Sequence, residues 1–260
     1  MKAGCALAVG IALLGSPFAG AAVAQTADPE LSSEAARSVQ AWVTRPERTP
    51  EEQAVDAYRR PAQTLDFFGL QPDMKVIEFV PGGGYYSELL AQGLSSEGEL
   101  LLVGSGSNNA ESIAQASGKN VAALPDTAMQ TTRTPGSRGS TIEAFDLGVT
   151  DADMFFTARN LHNFSQESRS VLHDGVFAAL NEGGVYAIIE HTGRHNAPDA
   201  PETWRRVDPV QVIKEVQAAG FVFEDFSNLH FQPDDTLQLD TTDPSINRNS
   251  DRFTLLFRKP

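Results

Sequence analysis

Cysteine is almost missing from this chain. Its 260 residues hold one, Cys5, inside an N-terminal stretch that does not read as part of a fold. Without Cys5 the remainder has no disulfide, no thiol nucleophile and no cysteine metal site. Positive charge is scarce too: Lys and Arg number 20 against 34 Asp and Glu, a formal net charge of −14. Such acidity repels phosphate backbones and anionic membrane surfaces, which disfavours nucleic acid as a partner. The apolar run from Cys5 to Leu14 is too short to span a bilayer as a helix, so no stable membrane anchor is expected. No G-x-S-x-G elbow occurs, which speaks against an α/β-hydrolase with a serine nucleophile. No Lys-Ser/Thr pair follows the glycine cluster at residues 82–84, which speaks against ATP or GTP cradling.

What is present begins with a leader. Lys2 supplies a positive start, the apolar run follows, and Ala22-Val23-Ala24 is a small-x-small cleavage site before Gln25. This reads as a secretory signal peptide over residues 1–24. Export to the periplasm follows as an expectation. Residues 25–47 read as an N-terminal extension with one short helix, Ser33 to Val43, and residues 48–260 as one domain.

That domain is organised around Lys75-Val76-Ile77-Glu78-Phe79-Val80-Pro81-Gly82-Gly83-Gly84-Tyr85-Tyr86. A strand-type run carrying an acid leads into a glycine turn and then a helix. This order gathers backbone N–H groups and a positive helix end outside the carboxyl end of a strand, where nucleotide-like ligands bind in open α/β sheets. Glycines there permit close ligand approach and positive φ. Before this stretch, Thr49-Pro50-Glu51-Glu52 is a helix start with Thr as cap and Glu three residues on. A second helical piece runs from Ala62 to Phe68.

After the glycines, Tyr86 to Gln92 reads as helix and Glu99 to Val103 as the second strand. Gly104-Ser105-Gly106-Ser107-Asn108 ends that strand without an acid. Asn109 to Ala116 reads as helix, and residues 117–140 show no pattern. Thr141 to Phe145 is expected as the third strand and Asp153 to Thr157 as the fourth. Ser165 caps a helix with the apolar stripe Val171, Leu172, Val176, Ala179 and Leu180. Val185 to Glu190 reads as the fifth strand, Asp208 to Gly220 as a further helix, and 221–226 with 253–258 as a final antiparallel pair.

Several stretches together carry a resemblance: Asp56-Ala57-Tyr58-Arg59-Arg60-Pro61, the glycine stretch, Arg159-Asn160-Leu161-His162-Asn163-Phe164, Arg206-Val207-Asp208 leading to Glu215–Phe221, and the ending Asp251–Pro260. In order and spacing they resemble a family of bacterial predicted methyltransferases of the class I S-adenosylmethionine (SAM) type, many with signal peptides, over roughly residues 50–260. The resemblance implies a Rossmann-like α/β fold, a mainly parallel seven-stranded sheet with an antiparallel last strand. It implies SAM as cofactor and methyl transfer to a small-molecule or envelope acceptor. Cofactor contacts then fall to Glu78, Gly82, Gly83, Gly84, Tyr85 and Ser105. Two departures stand out: Val80 replaces the first glycine of the wider superfamily motif, and the second strand lacks its ribose-binding acid. A non-catalytic periplasmic ligand-binding protein on the same fold is the alternative.

His162 is the candidate general base, since an imidazole titrates near neutral pH and methyl transfer sometimes needs a base. Arg159 and Asn160 beside it would fix the acceptor. Glu190-His191 ends the fifth strand on the same rim, and its residues are expected to be solvated. His195 follows at His-x-x-x-His spacing without a third ligand, so no metal is expected. Arg59 and Arg60 either reach over the site or end a surface helix. His173 and His230 are expected at the surface.

Overall fold

The computed structural model describes Met1 and residues 30–260, apart from Arg138 and Asp199. The leader expected over residues 1–24 and its cleavage site lie outside the described residues. One compact unit runs from Leu31 to Pro260.

Ser33 opens helix α1 (Glu34–Val43) by accepting from the Ala36 N–H at 2.9 Å. Its buried stripe, Ala35, Ala36 and Val39, packs against the helices that cover one face of the sheet. The Thr49–Glu52 capping box forms in both directions and starts α2 (Pro50–Arg59). Arg60, at φ 44°, ends α2, and Pro61 starts α3 (Pro61–Phe67).

The apolar run of the glycine stretch becomes strand β1 (Lys75–Phe79), with four of its five residues buried. It leads to α4 (Tyr85–Gly93), β2 (Glu99–Val103), α5 (Ala110–Ser117) and β3 (Val121–Ala123). A hairpin of β4 (Met129–Thr132) and β5 (Thr141–Phe145) follows, then β6 (Ala152–Ala158), α6 (Gln166–Ala179) and β7 (Leu180–His191). The last elements are α7 (Pro209–Ala218), β8 (Val222–Ser227) and β9 (Arg252–Arg258).

Seven strands form one sheet in the order β3-β2-β1-β6-β7-β9-β8. The pairs that join β3, β2, β1, β6 and β7 are parallel, and β9 runs antiparallel to both β7 and β8. This is the expected sheet with one correction. Thr141–Phe145 is not its third strand but pairs with Met129–Thr132 in a separate two-stranded sheet. The edge strand is Val121–Ala123, in the stretch that carried no pattern. It has three residues and buries only Val121, too little for an alternation to register.

Alternation along the strands splits the core in two. Ile77, Phe79 and Phe155 join the layer with Leu172 and Val176 of α6 and Val212 and Val216 of α7. Val76, Leu100 and Phe156 join the opposite layer with Ala35, Leu65, Leu89 and Ile113 from α1, α3, α4 and α5. Val171, expected in the α6 stripe, is exposed; the covered face of α6 instead includes Arg169 and His173. Among the described residues no helix is long and apolar enough to cross a membrane.

Candidate functional site

The carboxyl ends of β1 and β6, with the start of β9, enclose a cavity of about 550 Å³. On the β1 side its wall includes Glu78, Val80, Gly82 and Gly83. Glu78 is buried and accepts a hydrogen bond from Ser87 Oγ at 2.5 Å. Burial pushes its carboxyl up to about 8, against the smaller lowering by Ser87. It is therefore a protonated acid at neutral pH, and a cation brought beside it would ionise it.

Val80 sits at φ 52°, a costly conformation for a β-branched residue, on the order of 1–3 kcal/mol. Gly82 follows at φ 60°, and its N–H donates to Ser105 O at 3.0 Å. Asn109 Nδ2 donates to Gly82 O at 3.2 Å. The loop after β2 thus packs backbone to backbone on the glycine turn. Gly106 is required there, because a Cβ would lie 2.3 Å from Gly82 O. The Ser105 residue is exposed and outside the cavity wall; its carbonyl is what supports the turn. Gly84, at φ 82°, caps α4, whose N-terminus has no side-chain cap. At Gly83 an added Cβ would meet no atom within 4 Å, so the cavity reaches the bare backbone.

On the β6 side, Arg159 holds φ 64° and donates its N–H to Ile189 O at 2.7 Å. Asn160, expected to fix the acceptor, spends its amide on the scaffold. It donates to Phe79 O at 2.9 Å and to Thr157 Oγ1 at 3.3 Å, tying the ends of β1 and β6 together. One 3-10 turn later His162 Nδ1 lies 2.9 Å from Glu190 Oε1, and the His162 N–H donates to Glu190 Oε2 at 3.2 Å.

Glu190 and His191 are not the solvated rim residues expected from sequence: both are buried. Burial alone would raise the Glu190 carboxyl, but the charge and hydrogen bond of His162, with the charge and N–H of His191, hold it well below the carboxylate range. An ionised carboxylate only accepts, so Nδ1 of His162 carries the proton of that hydrogen bond. His191 is pushed down by burial, which outweighs the opposing pull of Glu190, and its Nδ1 pairs with Ser250 Oγ at 2.9 Å.

The remaining wall is cationic and aromatic. The Arg59 guanidinium lies 4.1 Å from the Tyr85 ring centre, and Arg252 lies 4.9 Å from that of Tyr58. Tyr85 OH donates to Asp56 Oδ1 at 2.7 Å, and Asp56 is clasped by Arg48 at 2.7 Å. Tyr85 thus lines the cavity while its hydroxyl serves the scaffold; Tyr86 is buried beside it. Arg59 reaches the cavity and Arg60 makes the turn between helices. His195 is exposed and pairs with Asp208 at 2.8 Å. Among the described residues no group of three or more His, Cys, Asp or Glu could hold a metal.

Sequence reasoning missed Glu190 as the partner of His162, although it marked both on one rim. It also missed Arg248, Ser250 and Arg252, which reach the cavity from the far end of the chain. Asp251-Arg252 stood among the resembling stretches without a role.

No protein-family model matches the chain. No curated protein matches it in sequence. Solved structures do match. A SAM-dependent methyltransferase from Aquifex aeolicus aligns at 14% identity and a TM-score of 0.51, over 82% of this chain and 100% of its own. The [4+2]-cyclase SpnF aligns at 16% identity and 0.55, over 84% and 85%. The apo form of the S-adenosylmethionine-dependent methyltransferase SibL aligns at 12% identity and 0.51, over 81% and 56%. The chain therefore has the fold of the class I SAM-dependent methyltransferases, with the mainly parallel seven-stranded sheet and its antiparallel strand. At these identities the likeness is one of fold, and the cyclase among the matches means that fold does not fix chemistry.

Proposed function

We propose that this protein is a SAM-dependent methyltransferase acting on a small-molecule acceptor, with the cofactor against β1 and the acceptor beside His162. One observation carries the reading: an imidazole oriented by a buried carboxylate stands on the wall of the cavity that Glu78 and the glycine turn also line.

The residues fit the cofactor best at its methionine end. Glu78 is a buried acid without a cation partner, suited to an amino group. The uncapped N-terminus of α4 suits a carboxylate. Gly82 and Gly83 leave room for close approach. At the ribose, neutral groups would stand in for the missing acid, with hydrogen bonds about half as strong. SAM, when bound, supplies an electrophilic methyl on a sulfonium.

The chain's part is positioning and proton handling. His162 Nε2 takes the proton of an acceptor hydroxyl or amine as the methyl arrives, and Glu190 stabilises the imidazolium formed. Arg159 binds the acceptor, and Asn160 keeps the two strand ends in register. Such a base contributes roughly 10²–10⁴-fold.

The leader sequence supports an exported, periplasmic enzyme. A mature chain starting near Gln25 in native protein is the expected mass-spectrometric result; an intact Met1 in the soluble cytoplasm would remove that part. The second reading, a non-catalytic ligand-binding protein, draws on Val80 in place of a glycine and the acid-free end of β2. Incubation with methyl-labelled SAM and a small-molecule extract of the envelope separates the two. Label transfer that the His162→Ala variant loses supports the enzyme. Cofactor binding without any transfer supports the binding protein.

A further inference from the structure

We infer that the cavity's acceptor carries a compact oxyanion, a phosphate, sulfonate or carboxylate head, and that Arg59, Arg159 and Arg252 form the subsite that holds it. Calling the ligand an acceptor rests on the methyltransferase reading; the oxyanion subsite does not.

The chain is strongly acidic, yet this cavity inverts the balance. Among the described residues five arginines line it, at 59, 159, 205, 248 and 252, against one carboxylate, Glu78, which burial keeps protonated. Arg205 is neutralised by Asp240 at 3.0 Å. Among the described residues no carboxylate pairs with the central three. Arg252 is 5% exposed, its Nη2 donates to the Arg248 carbonyl at 3.0 Å, and its Nε is buried without a partner. Arg59 Nε is likewise buried without a partner. After burial, the charges that bear most on Arg159 are those of Arg59 and Arg252, and together these bring it down to about 10.

Aromatic faces offer partial relief, Tyr85 to Arg59 and Tyr58 to Arg252. A buried cation without a counter-charge is nonetheless expensive and persists where something else requires it. The three come from the end of α2, the end of β6 and the start of β9, so no helical repeat brings them together. Guanidinium forks match the geometry of planar and tetrahedral oxyanions. The methionine carboxylate of SAM could satisfy one fork, not three, and a sulfonium gains nothing from added positive charge.

The test is calorimetric titration of the mature chain with phosphate, methanesulfonate and succinate in turn, at matched ionic strength, alone and with saturating S-adenosylhomocysteine. At least one should bind with and without the nucleoside. Affinity should fall about 10- to 100-fold in Arg159→Gln and Arg252→Gln, the loss of one charged hydrogen-bonding group, and stay unchanged in the surface variant Arg133→Gln. If Arg252→Gln fails to fold, Arg59→Gln, at a partly exposed helix end, takes its place. The order of affinities identifies the head group. No oxyanion binding, equal affinity in the variants, or displacement by S-adenosylhomocysteine would overturn the inference, the last by assigning the arginines to the cofactor. Oxyanion binding with no nucleoside binding would leave the subsite standing and remove the methyltransferase reading instead.

Discussion

Two buried histidines, His162 and His173, each lie near a glutamate, and their surroundings could hardly differ more. His162 Nδ1 faces Glu190 at 2.9 Å, a carboxylate that otherwise accepts from the backbone N–H groups of His162 and His191, and the ring stands on a cavity wall. His173 is fully sealed between α6 and β7; its Nδ1 lies 3.1 Å from Tyr186 OH. Its Nε2 is 3.7 Å from Glu215 and makes no hydrogen bond, because both Glu215 oxygens are taken by Arg169 at 2.8 Å. Burial accordingly pushes the His173 imidazole down. A His–Glu pair is poised for proton transfer only when no stronger cation claims the carboxylate and the far nitrogen meets open space. His162 meets both conditions and His173 neither.

Rate separates the two histidines most directly. His162→Ala should lower turnover by roughly 10²–10⁴-fold and leave S-adenosylhomocysteine affinity nearly intact, whereas His173→Ala should leave single-turnover rates unchanged in the folded fraction. Equal loss in both would dissolve the distinction. Stability sharpens it from the other side. Arg169→Ala leaves Glu215 buried and should cost about 3–5 kcal/mol in urea unfolding without altering the rate. A near-neutral result would mean that water reaches Glu215.

A smaller effect is expected with pH. The folded-state values of His173 and His191 lie below the ordinary 6.5, and that of His230, buried against the Arg59 carbonyl and Thr254, drops to about 4. Below 6.5 the unfolded chain therefore binds more protons, so stability should fall as pH drops from 6.5 towards 4. Glu78 works in the opposite sense. Raised from 4.5 to about 8, it makes the folded state the better proton binder in that window, so its share of stability is lost as pH rises through it. Glu78→Gln should remove the loss on the alkaline side and, because its window also covers pH 4.5 to 6.5, steepen the fall on the acid side. Denaturation midpoints at pH 5, 6, 7 and 8 measure both slopes.

Much of the fold was legible because long buried strands and capped helices write strong local patterns. The Thr49–Glu52 box, the run Lys75–Phe79 and the Ser165 cap each formed where the spacing put them. What failed was short or tertiary. Val121–Ala123 becomes a strand only because β2 offers it an edge, and Thr141–Phe145 has strand composition but finds its partner in Met129–Thr132. His173 and His230 looked like surface residues because no local pattern announces that Tyr186 or Thr254 will enclose an imidazole. At the site, positions on strand ends were readable and partnerships were not. The 28 residues from His162 to Glu190 and the 193 from Arg59 to Arg252 are closed only by the sheet order.

A methyltransferase on this fold needs the glycine turn to meet its cofactor, and Gly83 is the residue that tests the contact. Unlike Gly82 and Gly84 it needs no positive φ, and a side chain there would enter open space rather than strain the backbone. Calorimetric titration with S-adenosylhomocysteine should show binding to the wild type. It should show none to Gly83→Val, with unchanged circular dichroism and melting. Equal binding by the variant, or no binding by the wild-type protein, would contradict it.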